Sequence, residues 1–262
     1  MEEFFQKNFI IEYRPYIFTG FIGLFIIELI WIWRTKAPHF SIKETLSNAF
    51  MYGSMQASKI LIGIYQIWLI FLAWDYRVFT FESNLYTFLV VFMMADFTYY
   101  VQHRLMHEWK PLWALHQVHH SSPWMNFSTG LRLTWLGPII TPFFHLPMIL
   151  IGFHPLLVGS AVLFNLFYQF WLHTEMIPRL GFLEGWINTP SAHRVHHATN
   201  KIYIDKNYGG ILMIWDRLFG TYEPESEPVT YGVTTGFTGH NPFVNQFIGL
   251  RDLFRGKLDW KG

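Results

Sequence analysis

The stretch LYTFLVVFMMADFTYYVQHRLMH, Leu85 to His107, carries an apolar tract straight into a histidine pair spaced H-x-x-x-H. If residues 85–101 cross a bilayer, the pair stands at the end of a membrane span and the fold is that of a membrane protein. The rest of the chain decides whether that reading holds.

Three further tracts have the same character. YIFTGFIGLFIIELIWIW (Tyr16–Trp33) would extend about 27 Å as a helix, close to the thickness of a bilayer core. ILIGIYQIWLIFLAW (Ile60–Trp74) extends backwards to make a second span over 49–74. Residues 135–172 are apolar but broken by Pro138, Pro142, Pro147 and the FHP at Phe153–Pro155, which predicts a helical hairpin turning near Gly152. The alternative is a very apolar soluble core. Four such tracts cannot all hide inside a globule of 262 residues.

Composition agrees. The chain is 52% hydrophobic and 14% charged, whereas soluble domains carry about 25% charged residues, so too few remain to coat a water-facing surface. A net charge of +1 with scattered basic residues gives no footprint for nucleic acid. With no cysteine, disulfide frameworks, thiolate zinc sites, iron–sulfur clusters and a cysteine nucleophile are excluded together. The acidic start MEEFFQKN does not read as a cleavable signal. The expectation is an all-α integral membrane protein of four to five transmembrane or hairpin helices, forming one domain over 1–262. Residues 103–134 and 174–262 would form a histidine-rich helical cap.

Loop charges give an orientation. Arg34, Lys36, Lys43 and Lys59 lie between the first two spans, and the next loop offers only Arg77, so the 34–59 loop is expected in the cytoplasm. Counting spans onward then places every histidine cluster on that same face, at a bacterial inner membrane or the endoplasmic reticulum.

Thirteen histidines occur, and eight fall in three boxes: HRLMH (His103, His107), HQVHH (His116, His119, His120) and HRVHH (His193, His196, His197). Residues three and four apart share one face of a helix, so each box aims its imidazoles at a common point. Neutral imidazole is a common ligand of iron, copper and zinc. Eight such ligands exceed one tetrahedral zinc and suit two metals with open positions. His173, at the end of the returning hairpin, makes a ninth. His39, His145, His154 and His240 lack a helical partner and are read as ordinary structural histidines. Asp96 lies seven and eleven residues before His103 and His107, on the same helix face, and is expected to accept the second N–H of a ligand imidazole. Glu28, inside the first span, has no such registry.

The order HxxxH, HxxHH, HxxHH after membrane spans resembles the fatty acid hydroxylase/sterol desaturase superfamily of membrane di-iron oxygenases, and within it the alkylglycerol monooxygenase branch. The segments that carry the resemblance are DFTYYVQHRLMHEWKPLWALHQVHHSSPWMNFSTGLR, NLFYQFWLHTE and LEGWINTPSAHRVHHATNKIYIDKNYGGILMIWDRLFGTYE, roughly residues 96–223. It implies that the nine histidines hold two ferrous ions, and that Glu108, Asn126, Arg132, Asn200, Asp205, Asn207 and Tyr208 support them. Ala192 and Pro123 depart from the usual pattern.

Two iron ions sharing dioxygen can oxidise an unactivated C–H bond, which no side chain does alone. The implied activity is O2-dependent hydroxylation of a membrane lipid, with cleavage if the carbon adjoins an ether oxygen. No nicotinamide, flavin or haem motif is present, so reducing equivalents come from an external donor. The alkylglycerol branch implies a reduced pterin such as tetrahydrobiopterin, and the sterol desaturases an electron-carrier protein. Competing readings are a sterol or carotenoid desaturase/hydroxylase and, from another class, a membrane metal-binding or transport protein or a haem cytochrome. The sequence leaves the lipid and the oligomeric state open.

Overall fold

The structure, a computed structural model, describes residues 9–37, 40–236 and 239–258. His39 lies outside them. Among the described residues the architecture is all-helical, with isolated bridges but no strands. The α-helices are α1 (Phe9–Thr35), α2 (Ile42–Asp75), α3 (Leu85–Glu108), α4 (Lys110–His120), α5 (Gly137–Ile151), α6 (Pro155–Tyr168), α7 (Pro190–His196), α8 (Ile214–Leu218) and α9 (Pro242–Phe254).

Among the described residues, three helical segments are long and apolar enough to cross a membrane: α2, α3, and α6 continued by a 3-10 turn to Leu172. The predicted span 16–33 falls within α1, and α5, shorter but apolar, forms the outgoing arm of the expected hairpin. Their surfaces fit a lipid environment. Ile60, Leu61, Ile64 and Tyr86 are exposed, while small or branched residues (Ala73, Val91, Ala95, Val158, Ala161) fill the seams between helices. That is the reverse of a soluble bundle.

Local signals set the helix ends. Ser41 caps α2, and Asn84 with Thr87 forms a reciprocal capping box at the start of α3. Prolines open α4, α6, α7 and α9, where a missing N–H costs nothing. Gly152, at φ 126°, turns the hairpin so closely against Phe79 that any Cβ would strike its carbonyl.

One end of the bundle is thereby defined. The backbone N–H groups of Val78, Phe79 and Phe81 donate to the carbonyls of Leu150, Ile151 and Gly152, tying the α2–α3 loop to the hairpin turn. The histidine boxes sit at the other end of α3. The first box is not part of a separate cap, as the break expected at 103 would have it. α3 runs unbroken through His103 and His107 to Glu108, so the rigid span itself presents the first two imidazoles.

Candidate metal centre

Three short elements converge on the end of α3. Trp109 breaks the helix, and α4 folds back against α3 with the second box on its last turns. The hairpin returns to deliver His173 just past the 3-10 turn Gln169–Leu172. α7, capped by the Thr189 side chain, carries the third box. All nine predicted histidines come together, and they fall into two sets. Ligand nitrogens of His103, His107, His116, His120 and His196 lie within 4.8 Å of one another, as do those of His119, His173, His193 and His197.

The sorting differs from the sequence expectation that each box aims at one point. In the second box His116 and His120 join the first set while His119 joins the second. In the third box His193 and His197 join the second set and His196 the first. The reason is helical geometry. At 3.6 residues per turn, i and i+4 differ by about 40°, whereas adjacent residues differ by about 100°. The two H-x-x-H-H segments thus each feed both sets, with their roles exchanged.

Second hydrogen bonds fix how the rings present themselves. Nδ1–H of His103 donates to the Tyr208 carbonyl at 2.9 Å, that of His119 to the Arg132 carbonyl at 3.2 Å, and that of His196 to the Lys206 carbonyl at 3.0 Å. A ring that donates from Nδ1 and is neutral carries a bare lone pair on Nε2. Those lone pairs point into the clusters. Nε2 of His103 is 3.2 Å from Nε2 of His116, and Nε2 of His173 is 3.3 Å from that of His119 and 2.9 Å from that of His193. His107 Nε2 and His196 Nε2 are buried with no hydrogen-bond partner. Converging lone pairs repel unless a cation lies between them, so the donor set fits metal ions. Burial first, and the charge of neighbouring imidazoles second, pushes His116, His120, His193 and His197 well below the usual imidazole range. Burial brings His119 to about 4, against its bond to the Arg132 carbonyl. The rings are neutral at physiological pH, the form that ligates.

The segment Lys206–Leu212 supplies two of those carbonyls, and two buried aspartates hold it. Asp216 accepts the N–H groups of Tyr208 and Gly209 at 2.8 and 2.7 Å. Asp96 accepts from Ile211 and Leu212 N–H, Asn165 Nδ2 and Trp215 Nε1. This corrects the expectation for Asp96: its carboxylate receives no imidazole N–H and acts through the backbone that carries Tyr208. Asp205 and Asn207 adopt positive φ (59° and 57°), bending the chain so that alternate carbonyls face the rings.

Other predicted site residues stand further out. Glu108 pairs with Arg104 at 2.8 Å on the surface of α3. Asn126 Oδ1 accepts the Ser128 N–H and hydroxyl, starting the 3-10 turn Phe127–Leu131. Asn200 clasps the 227–230 segment through Glu227, Pro228 and Thr230. Each of these three is engaged in holding a loop or helix surface. His145 Nδ1 is buried within α5 without a partner, His154 caps α6 at the far end of the bundle, and His240 Nδ1 meets Glu44 Oε2 at 2.7 Å.

Two glutamates carry more than the sequence suggested. Glu28 of α1 is buried and accepts the Phe127 N–H and the Thr174 hydroxyl, beside His173. Glu44 of α2 is buried in an ion pair with Arg132, 2.8 Å away, whose carbonyl orients His119. Glu44 sits three residues after the cap Ser41, where a carboxylate reads as part of a capping pattern. Its true partner lies 88 positions away.

Comparison with known proteins follows the same residues. The fatty acid hydroxylase family model matches residues 88–221, the segment that holds all nine histidines. Alkylglycerol monooxygenase of Danio rerio is 43% identical over 82% of this chain and 48% of its own length, and that of Homo sapiens 40% identical over 89% and 53%. Ornithine lipid hydroxylase OlsE of Rhizobium tropici is 33% identical over 56% of the chain and 44% of its own length. The chain spans about half the length of the curated relatives it matches. No solved structure matches it. The boxes, the spans they follow and the extent of the match agree that the chain belongs to the fatty acid hydroxylase family.

Proposed function

We propose that the protein is a membrane-bound, non-haem di-iron monooxygenase that uses O2 to hydroxylate a C–H bond of a lipid, and that 1–262 forms its oxygenase domain. The observation that carries this reading is the division of nine buried imidazoles into two adjoining sets with ligand atoms within 4.8 Å in each. In this reading His103, His107, His116, His120 and His196 hold one iron, and His119, His173, His193 and His197 the other. Iron bound there supplies activation of dioxygen and oxidation of the C–H bond. The protein's own groups keep the imidazoles neutral and aimed: the carbonyls of Tyr208, Arg132 and Lys206 fix three tautomers.

An ether lipid is the favoured substrate class, supported by relatives named alkylglycerol monooxygenase across four-fifths or more of the chain. Hydroxylation of the carbon beside the ether oxygen gives a hemiacetal, which collapses to an aldehyde and an alcohol. One oxygen atom enters the product, and the other leaves as water with two electrons and two protons from an external donor. A reduced pterin or an electron-carrier protein would serve. The loop charges support a cytoplasmic position for the histidine end of the bundle. Desaturation is the second reading, favoured by similarity to Delta(7)-sterol 5(6)-desaturase ERG3 of Saccharomyces cerevisiae, 31% identical over 49% of this chain and 33% of its own length.

Lipid profiles of cells with and without the protein test the reading. Loss of ether lipids with gain of fatty aldehyde supports cleavage, a hydroxylated lipid supports simple hydroxylation, and a new double bond favours desaturation. Unchanged profiles with iron-loaded protein contradict it.

A further inference from the structure

Helix α9 is amphipathic in the wrong direction for water. Its buried positions are Asn245, Gln246 and Gly249, and its exposed ones include Phe243 (56%), Val244, Phe247 and Phe254 (85%). Positions 243, 247 and 254 recur at helical spacing and form one stripe. A surface helix in water buries such a stripe and exposes its amides.

The polar face is buried for a structural reason. Gln246 Nε2 donates to the Leu133 carbonyl at 2.8 Å, and its Oε1 accepts the Trp135 N–H at 2.9 Å. Gly249 lies so close to α4 that a Cβ would collide with Gln117 and the Ala114 carbonyl. α9 is therefore locked against the helix that carries the second histidine box, and it cannot roll its aromatic stripe inward.

The stripe is continuous with the lipid-facing surface of α2. Phe243 packs on Phe50 of α2 at 5.8 Å between ring centres, and Trp135 packs edge-on against both Phe243 and Phe247. Phe50 stands about 37 Å along α2 from Asp75 at about 1.5 Å per residue. A bilayer's hydrocarbon core is about 30 Å thick and its full width about 40–45 Å, which puts Phe50 in the interfacial zone when Asp75 marks the far border. Beyond the stripe, Arg255 and Lys257 are exposed, cations suited to lipid phosphates, while Arg251 on its flank pairs with Asp252 at 2.8 Å.

We infer that α9 is an interfacial helix whose Phe243–Phe247–Phe254 stripe is sunk in the lipid leaflet at the histidine end of the bundle. The occupant of this surface is the acyl and glycerol layer of the bilayer, with Arg255 and Lys257 at headgroup level. The inference does not depend on the oxygenase reading, because it concerns only the membrane placement of the fold.

The absence of native cysteine permits a direct test. Full-length protein carrying Phe247→Cys or Phe243→Cys, labelled with a nitroxide and placed in phospholipid nanodiscs, is measured by power saturation with oxygen and with a water-soluble nickel chelate. Ile64→Cys on the exposed face of α2 serves as the lipid reference and Lys201→Cys as the aqueous one. The expected result is a several-fold rise in the oxygen-to-nickel accessibility ratio at 243 and 247 over that at 201, towards the value at 64. Free access of nickel at 247 overturns the inference. Low access to both reagents also overturns it, since a protein surface then covers the stripe.

Discussion

Arg132 holds His119 from two directions: its backbone carbonyl accepts Nδ1–H of the ring at 3.2 Å, while its guanidinium binds the Val118 carbonyl and the Ser121 hydroxyl on either side of the His119–His120 pair. Glu44 and Asn48 of α2 hold the same guanidinium from behind. The side chain is fully buried, so its charge depends on the Glu44 carboxylate. Breaking a buried pair by removing one partner costs about 3–5 kcal/mol. Glu44→Gln is predicted to lower the thermal midpoint of the solubilised protein and reduce its iron content. Arg132→Lys keeps the charge but loses the fork, and should do the same. Iron content and midpoint both at the parent level would show that this network does not position His119.

Asp96 offers a contrast between a ligand and a scaffold group. Asp96→Asn sets an amide N–H against four donors, with each buried group left unpaired costing about 1–3 kcal/mol. The thermal midpoint should fall, yet chains that remain folded should keep most of their iron. Equal loss of iron in Asp96→Asn and His119→Ala would show that Asp96 belongs to the metal site after all.

His119→Ala and His196→Ala remove one imidazole from different sets and should each abolish O2 consumption coupled to lipid oxidation. His145→Ala, in the hairpin and away from both sets, should change turnover far less. Comparable losses in all three variants would show that membership of the two sets does not decide function.

Acid should destabilise the metal-free protein in a defined window. Above about 6.5 the rings are neutral whether the chain is folded or not, so these groups make no pH-dependent contribution there. Below it the unfolded chain takes up protons that the buried site resists, and His119 does so only near 4. Stability present above about pH 6.5 is therefore lost progressively down to about 4. A thermal midpoint that stays flat across that window would contradict the burial of neutral imidazoles.

Much of the site was legible because its signal is periodic. H-x-x-x-H and H-x-x-H-H keep their meaning on any helix, and the spans show as unbroken apolar runs, so the three boxes were legible from spacing, while His173 was expected from its place at the end of the returning hairpin. Spacing did not reveal which imidazole joins which set. That depends on how α4 and α7 are placed about the end of α3, and α4 is held there in part by a distant contact, through Arg132 to Glu44. Asp96 misled for a related reason. Its register with His103 along α3 is real, but a carboxylate binds the nearest converging donors, and these come from Ile211, Leu212 and Trp215, more than a hundred residues on. Glu28 has no local partner at all, and its role appears only once Phe127 and Thr174 are brought to it.

Mössbauer spectroscopy with iron quantification, on protein purified without oxygen, shows whether two iron ions are shared between the two sets of histidines. Two ferrous ions per chain in nitrogen-rich sites are expected, with both lost in part when either set loses a ligand. A single iron, haem absorbance, or correctly folded protein that binds no iron would contradict it.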